Sequence, residues 1–498
     1  MDLLGNLALG FSVAASATNL GFCLLGVFVG TLIGVLPGIG PVATMAMLLP
    51  ATFHVAPVSA LIMLAGIYYG AQYGGSTTAI LARVPGEASS LVTALDGYKM
   101  ALKGRAGAAL AIAAIGSFFA GTVSTLLVAM FGPALSKVAL QFGPSDYFAL
   151  MVLGLIAAIV LASGSLLKAV MMILVGILLG LVGTDPNSPL PRMSFDVPAL
   201  AEGINFVCLA VGLFGLSEII YNLEKEIIRP QAIPFRDLMP TREEMKIATP
   251  AILRGSLIGS ALGILPGSGA LLASFSAYAV EKKISKTPER FGEGAIEGVA
   301  APEAANNAGA QTSFIPLLTL GVPSNAVMAV MAGAMAIQGI TPGPQVMVKH
   351  AELFWGMIAS MWIGNLMLVI LNLPLIGLWV KLLQVPYRLL YAAIILFCCI
   401  GVYSINSAVF DVYLTIAFGI LGYILIKLEF EPAPLLLGVI LGPLMEENLR
   451  RAMLLSRGSL SVFWEKPLSL GLLLTAAALL MVVLLPSLRQ ARDTLKEE

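Results

Sequence analysis

The chain has little charge and few residues of the kinds that bind metals. Only 11% of its 498 residues are Asp, Glu, Lys or Arg, against roughly 25% in an average soluble domain. Its two histidines are far apart in sequence, and its four cysteines lie in apolar stretches. We interpret the cysteines as small core residues rather than as disulfide partners or metal ligands. The formal net charge of +0 gives no indication of a nucleic-acid partner.

Motifs of known enzyme classes are also missing from the sequence. There is no HExxH zinc motif, no lysine motif of the nucleotide-binding P-loop type and no paired, Asp-rich metal site. Each of these motifs supplies groups that hydrolysis or ATP-driven work requires. We therefore predict that the protein is not an enzyme and that ATP does not drive it.

Apolar residues dominate what is present. They make up 58% of the chain, and the mean hydropathy is +0.94. A helix of about 20 apolar residues crosses a hydrocarbon core of about 30 Å. Three stretches with almost no charge are at least that long, namely 106–131, 146–183 and 467–486. The composition predicts an all-α polytopic membrane protein.

Two pairs of segments indicate an internal duplication. GVLPGIGP at 34–41 resembles GILPGSGA at 263–270, and GAQYGGSTTAILARVPG at 70–86 resembles GAQTSFIPLLTLGVPS at 309–324. The matches occur in the same order in both copies, which is typical of a repeat. The predicted organisation is an N-terminal interfacial helix at 1–19, a first repeat at 20–222, a cytoplasmic linker at 223–250, a second repeat at 251–455, and a C-terminal membrane helix with a cytoplasmic tail at 456–498.

The basic residues predict that the two repeats have inverted topology. The segment 83–105 of the first copy has four basic residues, whereas 321–350 of the second has only Lys349. After the Pro-Gly motifs the bias reverses, because 51–57 has none and 282–290 has four. Basic loops stay in the cytoplasm, and a bias that changes sides indicates an inverted repeat. The N-terminus is then periplasmic and the C-terminus cytoplasmic.

The Pro-Gly motifs predict re-entrant hairpins. Basic loops flank the second motif on both sides, so both ends of its segment should lie in the cytoplasm and the chain should turn inside the membrane near 265–269. Each arm of about 12 residues would reach about 18 Å. The alternative is one kinked helix that crosses the membrane, since proline kinks are tolerated there.

Helix interruptions at matching positions in both repeats indicate a central binding site. We predict that the hairpin tips and two amides bind an anionic substrate through N–H groups, as helix N-termini do. These residues are Gly38, Ile39, Gly40, Gly267, Ser268, Gly269, Asn306 and Asn307. We also predict a broken helix at each GAQ motif, whose hydroxyl and carbonyl oxygens bind Na⁺. The residues there are Gly74, Gly75, Ser76, Thr77, Thr78, Gln311, Thr312 and Ser313.

Plainer structural roles compete with this interpretation. Small residues also let membrane helices pack closely without binding anything. Glu303 is expected to cap the start of its helix. Glu87 and Asp96 are expected to lie solvated in a cytoplasmic loop.

Five segments together resemble the large membrane subunit of the tripartite tricarboxylate transporter family. They are GVLPGIGP (34–41), YYGAQYGGSTTAIL (68–81), VPGEASSLVTALDGYKM (84–100), APEAANNAGA (301–310) and IPLLTLGVPSNA (315–326). Arg83 and SFIP at 313–316 depart from the expected pattern, which leaves the substrate within the carboxylate class open.

The resemblance implies a secondary active transporter of the elevator type in the bacterial inner membrane. It implies import of tricarboxylates such as citrate, or of related carboxylates, driven by a cation gradient of Na⁺ or H⁺ and without a cofactor. It also implies two partners, a small membrane subunit and a periplasmic solute-binding protein. The alternatives are a non-transporting membrane scaffold and a passive anion channel.

Overall fold

The computed structural model describes residues 3–36, 40–83, 86–162, 165–185, 188, 190–224, 239–265, 269–382 and 387–484. The helices of the first part of the chain are α1 (Leu3–Ala14), α2 (Ala17–Val35), α3 (Pro41–Thr52), α4 (Pro57–Ala82), α5 (Leu91–Leu102), α6 (Ala106–Ala139), α7 (Pro144–Leu161), α8 (Leu166–Gly180), α9 (Pro198–Ala201), α10 (Phe206–Ala210) and α11 (Ser217–Leu223). A π-helical turn, Val211–Leu216, joins α10 to α11. Two short antiparallel strands, β1 (Gly183–Thr184) and β2 (Pro191–Arg192), follow α8.

The second part of the chain is also helical. Its helices are α12 (Arg242–Leu262), α13 (Gly269–Ile284), α14 (Glu297–Thr312), α15 (Phe314–Leu320), α16 (Ala326–Ile337), α17 (Gln345–Lys349), α18 (Ala351–Asn372), α19 (Ile376–Leu382), α20 (Tyr387–Asn406), α21 (Val409–Lys427), α22 (Pro432–Leu455), α23 (Val462–Glu465) and α24 (Pro467–Leu484). Among the described residues, α2, α6, α10 to α11, α18 and α21 are long and apolar enough to cross a membrane. The chain is an all-α polytopic membrane protein, as predicted.

Glycines bring two pairs of helices into close contact. Three glycines of α2 face backbone carbonyls of α4, in the order Gly26 to Met63, Gly30 to Ile67 and Gly34 to Ala71. Two glycines of α12 and one just after it face α14 in the same way, in the order Gly255 to Ala301, Gly259 to Ala305 and Gly263 to Gly309. In each pair, the residue numbers of the successive contacts increase along both helices. The two helices of each pair therefore run in the same direction.

The short helix between each pair runs back toward the start of the pair. Arg254 on α12 forms an ion pair with Glu281 near the end of α13, with Nε and Oε1 2.6 Å apart. Gly263, just after α12, lies beside Gly269 at the start of α13. These two contacts make α12 and α13 antiparallel. In the first part, four residues join α3 to α4, so α3 must end near the level at which α4 begins.

The long helices α4 and α14 cross in opposite directions. Ser76, in the last third of α4, contacts Glu303 in the first half of α14. Tyr68, earlier on α4, packs against Phe314, which follows α14, with ring centroids 6.4 Å apart. Because α2 runs with α4 and α12 runs with α14, the two helical hairpins also point in opposite directions.

Several predicted boundaries and conformations are wrong. The helix break predicted at 70–78 is absent, because α4 continues unbroken from Pro57 to Ala82. Its glycines serve close packing instead: a Cβ on Gly74 would lie 2.4 Å from the carbonyl oxygen of Thr31. The predicted solvated loop 83–105 contains α5, and the predicted linker ends early because α12 already begins at Arg242.

Candidate functional site

A set of buried polar side chains lies where α4 and α14 cross. Helix α4 carries Ser76 into this region, and α14 carries Glu303 and Asn306. The segment that follows α4 folds back and adds Glu87. All four side chains are buried. In a membrane protein, buried ionisable groups mark a functional site by default.

Glu303 is held by hydroxyl groups from two helices. It is fully buried (0% exposed) and lies inside α14, so it is not the helix cap that the sequence suggested. Thr93 of α5 donates to its Oε1 at 2.5 Å, and Ser76 Oγ lies within hydrogen-bonding distance of its Oε2. Its hydrogen-bonding partners therefore come from helices on both sides of α14.

Glu87 is also buried, which contradicts its predicted place in a solvated loop. It is 9% exposed, and its Oε1 accepts hydrogen bonds from Asn306 Nδ2 at 2.9 Å and from Ser89 Oγ at 2.8 Å. A Cβ on Gly75 would lie 2.9 Å from Glu87 Cγ, so glycine there gives the carboxyl group its space. We call Ser76, Glu87, Thr93, Glu303 and Asn306 the acidic half-site.

Asp96 was likewise expected to be solvated, and it too is buried (0% exposed). Its Oδ1 accepts hydrogen bonds from the backbone N–H groups of Gly292, Gly294 and Ala295. Tyr278 donates to its Oδ2 at 2.9 Å. Asp96 therefore fastens α5 to the segment after α13 and has a structural role.

A small cavity adjoins the acidic half-site. Its polar lining comes from Tyr73, Ser76, Thr77, Ser117 and Asn372, and it has room for about one water molecule. Asn307 donates to Ser117 Oγ at 2.6 Å and to the Glu303 carbonyl. The Oδ1 atom of Asn372 is buried without a hydrogen-bond partner. The cavity touches Ser76 and is lined by both polar and apolar side chains.

A second set of polar side chains occupies the equivalent place on the other side of the crossing. Asn325 caps the start of α16, where its Oδ1 accepts from the Met328 N–H at 2.9 Å. Its Nδ2 donates to Ser313 Oγ at 3.2 Å and to the Tyr68 hydroxyl at 3.4 Å. We call Tyr68, Ser313 and Asn325 the amide half-site. It carries no charged side chain.

The two half-sites correspond through the predicted duplication. Glu87 ends the sequence VPGE (84–87), and Asn325 ends VPSN (322–325). Ala305 of α14 faces Gly259 in the same way as Ile67 of α4 faces Gly30. Asn306 and Tyr68, which follow these two residues, therefore occupy matching positions in the packing of the two helix pairs. The contact of Glu87 with Asn306 is therefore the counterpart of the contact of Asn325 with Tyr68. In each, the segment after one long helix reaches the long helix of the other half.

Described residues near the two hairpin tips, Gly34 and Gly269, lie beside the half-sites. Gly34 adjoins Gly75 and Gly86 on the acidic side, and Gly269 lies 3.5 Å from Ser313 Oγ on the amide side, measured from a built Cβ. The N–H of Gly40 already binds a carboxylate, since it donates to Glu218 Oε2 at 3.3 Å. Gly38, Ile39, Gly267 and Ser268 lie outside the described residues.

The other predicted ligands divide between packing and the site. Thr78 donates to the Val35 carbonyl at 2.8 Å, and Thr312 donates to the Ala308 carbonyl at 3.0 Å, so both hydroxyls serve the backbone. Thr77 lines the cavity. The Oε1 atom of Gln311 is buried and unpartnered, as is Oδ1 of Asn306. These two oxygens are free to accept from a ligand or a cation.

The sequence analysis missed five residues of the half-sites as ligands. Glu87 and Glu303 were assigned other roles, and Tyr68, Thr93 and Asn325 were not considered. A usable signal was present for Asn325 and Glu87, because both follow a VP pair that recurs in the two copies. The contacts of Glu303 could not be predicted, because its hydroxyl partners are far from it in the sequence.

Comparisons with known proteins place these features in a family. The sequence model described as "Tripartite tricarboxylate transporter TctA family" matches residues 20–437. An uncharacterized 52.8 kDa protein of Agrobacterium vitis is 60% identical over 494 residues, covering 99% of this chain and 98% of that protein. A second uncharacterized Agrobacterium vitis protein is 63% identical over 235 residues, covering 47% of this chain and 97% of that protein. No solved structure matches the chain.

Proposed function

Because the chain belongs to the tripartite tricarboxylate transporter TctA family, we propose that it is the permease subunit that imports tricarboxylates or related carboxylates. An inward cation gradient across the bacterial inner membrane drives the import. In this proposal a periplasmic solute-binding protein delivers the substrate, and a small membrane subunit completes the complex.

The contacts between loops support the predicted topology. On the predicted cytoplasmic face, Arg105 pairs with Glu244, Lys168 with Glu429, and Lys427 with Glu224. On the predicted periplasmic face, Arg192 pairs with Glu446, and Gln338 donates to the Thr52 carbonyl. Each of these contacts joins loops that the charge bias assigns to the same face.

The helix directions support the inverted repeat. The first helix of each hairpin, α2 or α12, runs parallel to the long helix that it packs against, and the two long helices cross in opposite directions. Further along, α8 runs parallel to α22, because Gly176 and Gly180 face Leu435 and Val439 in that order. The helix formed by α10, the π-helical turn and α11 runs parallel to α21, because Gly212 and Ser217 lie beside Thr415 and Gly422 in that order. Each of these pairs takes one helix from each predicted repeat. An inverted duplication with interleaved halves has these features.

The observation that carries the proposal is the pair of buried half-sites at the crossing of α4 and α14. Both combine the segment after one long helix with the long helix of the other half, and a glycine of a hairpin (Gly34 or Gly269) lies beside each. A scaffold has no need of buried polar groups at equivalent places in two halves. Their position between the halves suits a site that alternates its access when one part of the molecule moves against the other, as in an elevator mechanism.

We assign different ligands to the two half-sites by their charge. The amide half-site has N–H and O–H donors with no carboxylate, which suits a carboxylate substrate. Gly269, one of the predicted substrate ligands, lies beside Ser313 of this half-site. The acidic half-site, with its hydroxyls and the free Asn306 oxygen, suits a cation.

Substrate accumulation in cells tests the proposal. The chain is expressed with its small membrane subunit and binding protein, and uptake of labelled di- and tricarboxylates is measured against the external concentration. Accumulation above the external concentration is expected, and Ser313→Ala should lower it. Ser124→Ala is the matched control, because Ser124 is also buried and also donates to the carbonyl of the residue four before it, yet lies outside the site.

Two outcomes would contradict the proposal. Equilibration without accumulation would indicate a channel. No carboxylate uptake by an assembled complex would indicate a scaffold.

A further inference from the structure

Two carboxyl groups lie inside the molecule without a cation beside them. Among the residues that the structure describes, no lysine, arginine or histidine pairs with Glu303 or Glu87. A buried carboxylate without a positive partner is strongly unfavourable, so such a group needs either a bound cation or a proton. The hydrogen bonds around the two groups distinguish these cases.

If Glu303 is ionised, Ser76 has one hydroxyl proton for two acceptor atoms, and one of its two contacts lacks a hydrogen bond. Ser76 Oγ lies within hydrogen-bonding distance of Glu303 Oε2 and, at 2.9 Å, of the Gln72 carbonyl oxygen. Both are acceptors, and a serine hydroxyl has one proton to donate. When Glu303 is protonated it donates to Ser76, and Ser76 donates to Gln72. Both contacts are then satisfied.

The same count applies to Glu87 and Ser89. Ser89 Oγ lies 2.8 Å from Glu87 Oε1 and 3.2 Å from Gln72 Oε1, which are again two acceptors for one hydroxyl proton. A proton on Glu87 Oε1 satisfies both contacts, while that oxygen still accepts from Asn306. Hydroxyl partners also suit a group that gains and loses a proton, because a hydroxyl can donate to a carboxylate or accept from a carboxylic acid.

We propose that Glu303 and Glu87 form a proton-carrying acid pair that couples carboxylate import to proton entry. This inference rests on the proposed function and names its coupling ion, where the hydroxyl pattern of the sequence suggested Na⁺. The proton that binds moves from water to a carboxylate oxygen and leaves by the reverse step. The cavity that touches Ser76 has room for about one water molecule and offers the proton a route.

Other ionisable groups near the pair are already engaged. From α4, Tyr73 donates its hydroxyl proton to Asn365 at 2.7 Å. From α5, Asp96 is held by three N–H groups and Tyr278. From α12 and α13, Arg254 and Glu281 pair with each other. From α6, Ser117 accepts from Asn307. None of these groups supplies a positive charge to Glu303 or Glu87.

Infrared spectroscopy of the purified chain tests the protonation without any substrate. The carbonyl stretch of a protonated carboxylic acid should be present near neutral pH, should disappear in alkali and should be lost in the variant Glu303→Gln or reduced in Glu87→Gln. The variant Glu281→Gln is the control, since it removes a buried but ion-paired carboxylate and should leave the band in place. A band that neither variant changes would overturn the proposal.

Transport then tests the coupling. A proton carried down a gradient of roughly one pH unit supports about tenfold accumulation. In cells or vesicles with all three components, this gradient should raise wild-type accumulation by about that factor for each proton carried, and the gain should fall in Glu303→Gln. Accumulation that follows only a Na⁺ gradient would overturn proton coupling. If the wild type moves no carboxylate at all, the proposed function fails, and the infrared result still decides whether the acid pair holds protons.

Discussion

At the scale of single residues, glycine sets how closely α2 and α12 approach their long partners. A Cβ on Gly30 would lie 2.4 Å from the Ile67 carbonyl oxygen, and a Cβ on Gly259 would lie 2.3 Å from that of Ala305. Backbone atoms in two packed helices cannot move aside as the end of a flexible side chain can. These positions therefore exclude every other residue unless the helices separate.

The variant Gly30→Ala should accordingly destabilise the fold. Overpacking of a close contact costs about 1–3 kcal/mol, so the yield of folded protein and its thermal midpoint in detergent should fall. Gly21→Ala on the same helix is the control, because a Cβ there meets nothing within 4 Å. Equal stability of the two variants would show that α2 and α4 are not in direct contact.

The two hairpin tips should respond differently to alanine. From the sequence, both tips are expected to be equally sensitive. In the structure, a Cβ on Gly269 would lie 3.2 Å from the Gly263 carbonyl oxygen and 3.5 Å from Ser313 Oγ, whereas one on Gly40 meets only Glu218 oxygens at 3.7 Å. Gly269→Ala should therefore raise the half-saturating substrate concentration by about tenfold, equivalent to about 1.4 kcal/mol, and Gly40→Ala should change it little.

This comparison is made in uptake assays with the binding protein present, at matched expression. A larger effect of Gly40→Ala than of Gly269→Ala would place the substrate near the first hairpin instead of at the amide half-site.

At the scale of helices, sequence patterns predicted where helices occur better than whether a helix is broken. Long apolar stretches identified the first residues of α6 and α24, because burial in lipid demands a long run of apolar side chains, although α6 continues past residue 131 to Ala139. The GAQ segment was wrongly predicted to break its helix, because glycine in a membrane helix serves close packing as readily as it serves a bend. Helix α5 was missed because its Asp96 and Lys99 resemble a loop, whereas the Asp96 carboxylate is satisfied by N–H groups from another part of the chain.

The site shows the same division between local and distant information. Asn306, Ser76 and Ser313 could be chosen from the sequence, because polar residues inside apolar segments are conspicuous. That Glu303 and Glu87 lie in the same cluster depends on the antiparallel crossing of α4 and α14. A single sequence without covarying positions contains no local signal for that crossing.

The hairpin formed by α12 and α13 should have both ends in the cytoplasm. Arg254 and Glu281 pair near its open end, and Arg105 pairs with Glu244 at its start. Single cysteines at Thr249 and Lys286, introduced into a Cys399→Ser background, should both react with an impermeant thiol reagent from the cytoplasmic side. A cysteine at Ser459, which is exposed after α22, should react only from the periplasm. Labelling of Thr249 and Lys286 from opposite sides would rule out the hairpin in the membrane.

At the scale of the whole molecule, the predicted duplication pairs two places of different charge. Glu87 and Asn325 occupy matching positions, and each reaches the long helix of the other half. The half-sites are about seven residues apart along α4 and along α14, a separation of about 10 Å. An acid at one place and an amide at the other would let one crossing hold a cation and a carboxylate side by side. In the proposed function, coupled transport depends on this difference in charge between the two half-sites.

The variant Asn325→Asp tests this asymmetry. Aspartate is as good a helix cap as asparagine, so its carboxylate should keep the hydrogen bond to the Met328 N–H and the fold should be preserved. The change replaces the Nδ2 donor with a negative charge. A like charge beside an anionic substrate costs several kcal/mol, so the half-saturating concentration of carboxylate should rise by more than about tenfold.

Asn205→Asp is the matched control, because Asn205 caps α10 through the Val207 N–H and lies outside both half-sites. Uptake is measured for both variants at equal amounts in the membrane. A wild-type half-saturating concentration in Asn325→Asp would mean that the substrate does not approach the amide half-site, and the assignment of the two half-sites by charge would be wrong.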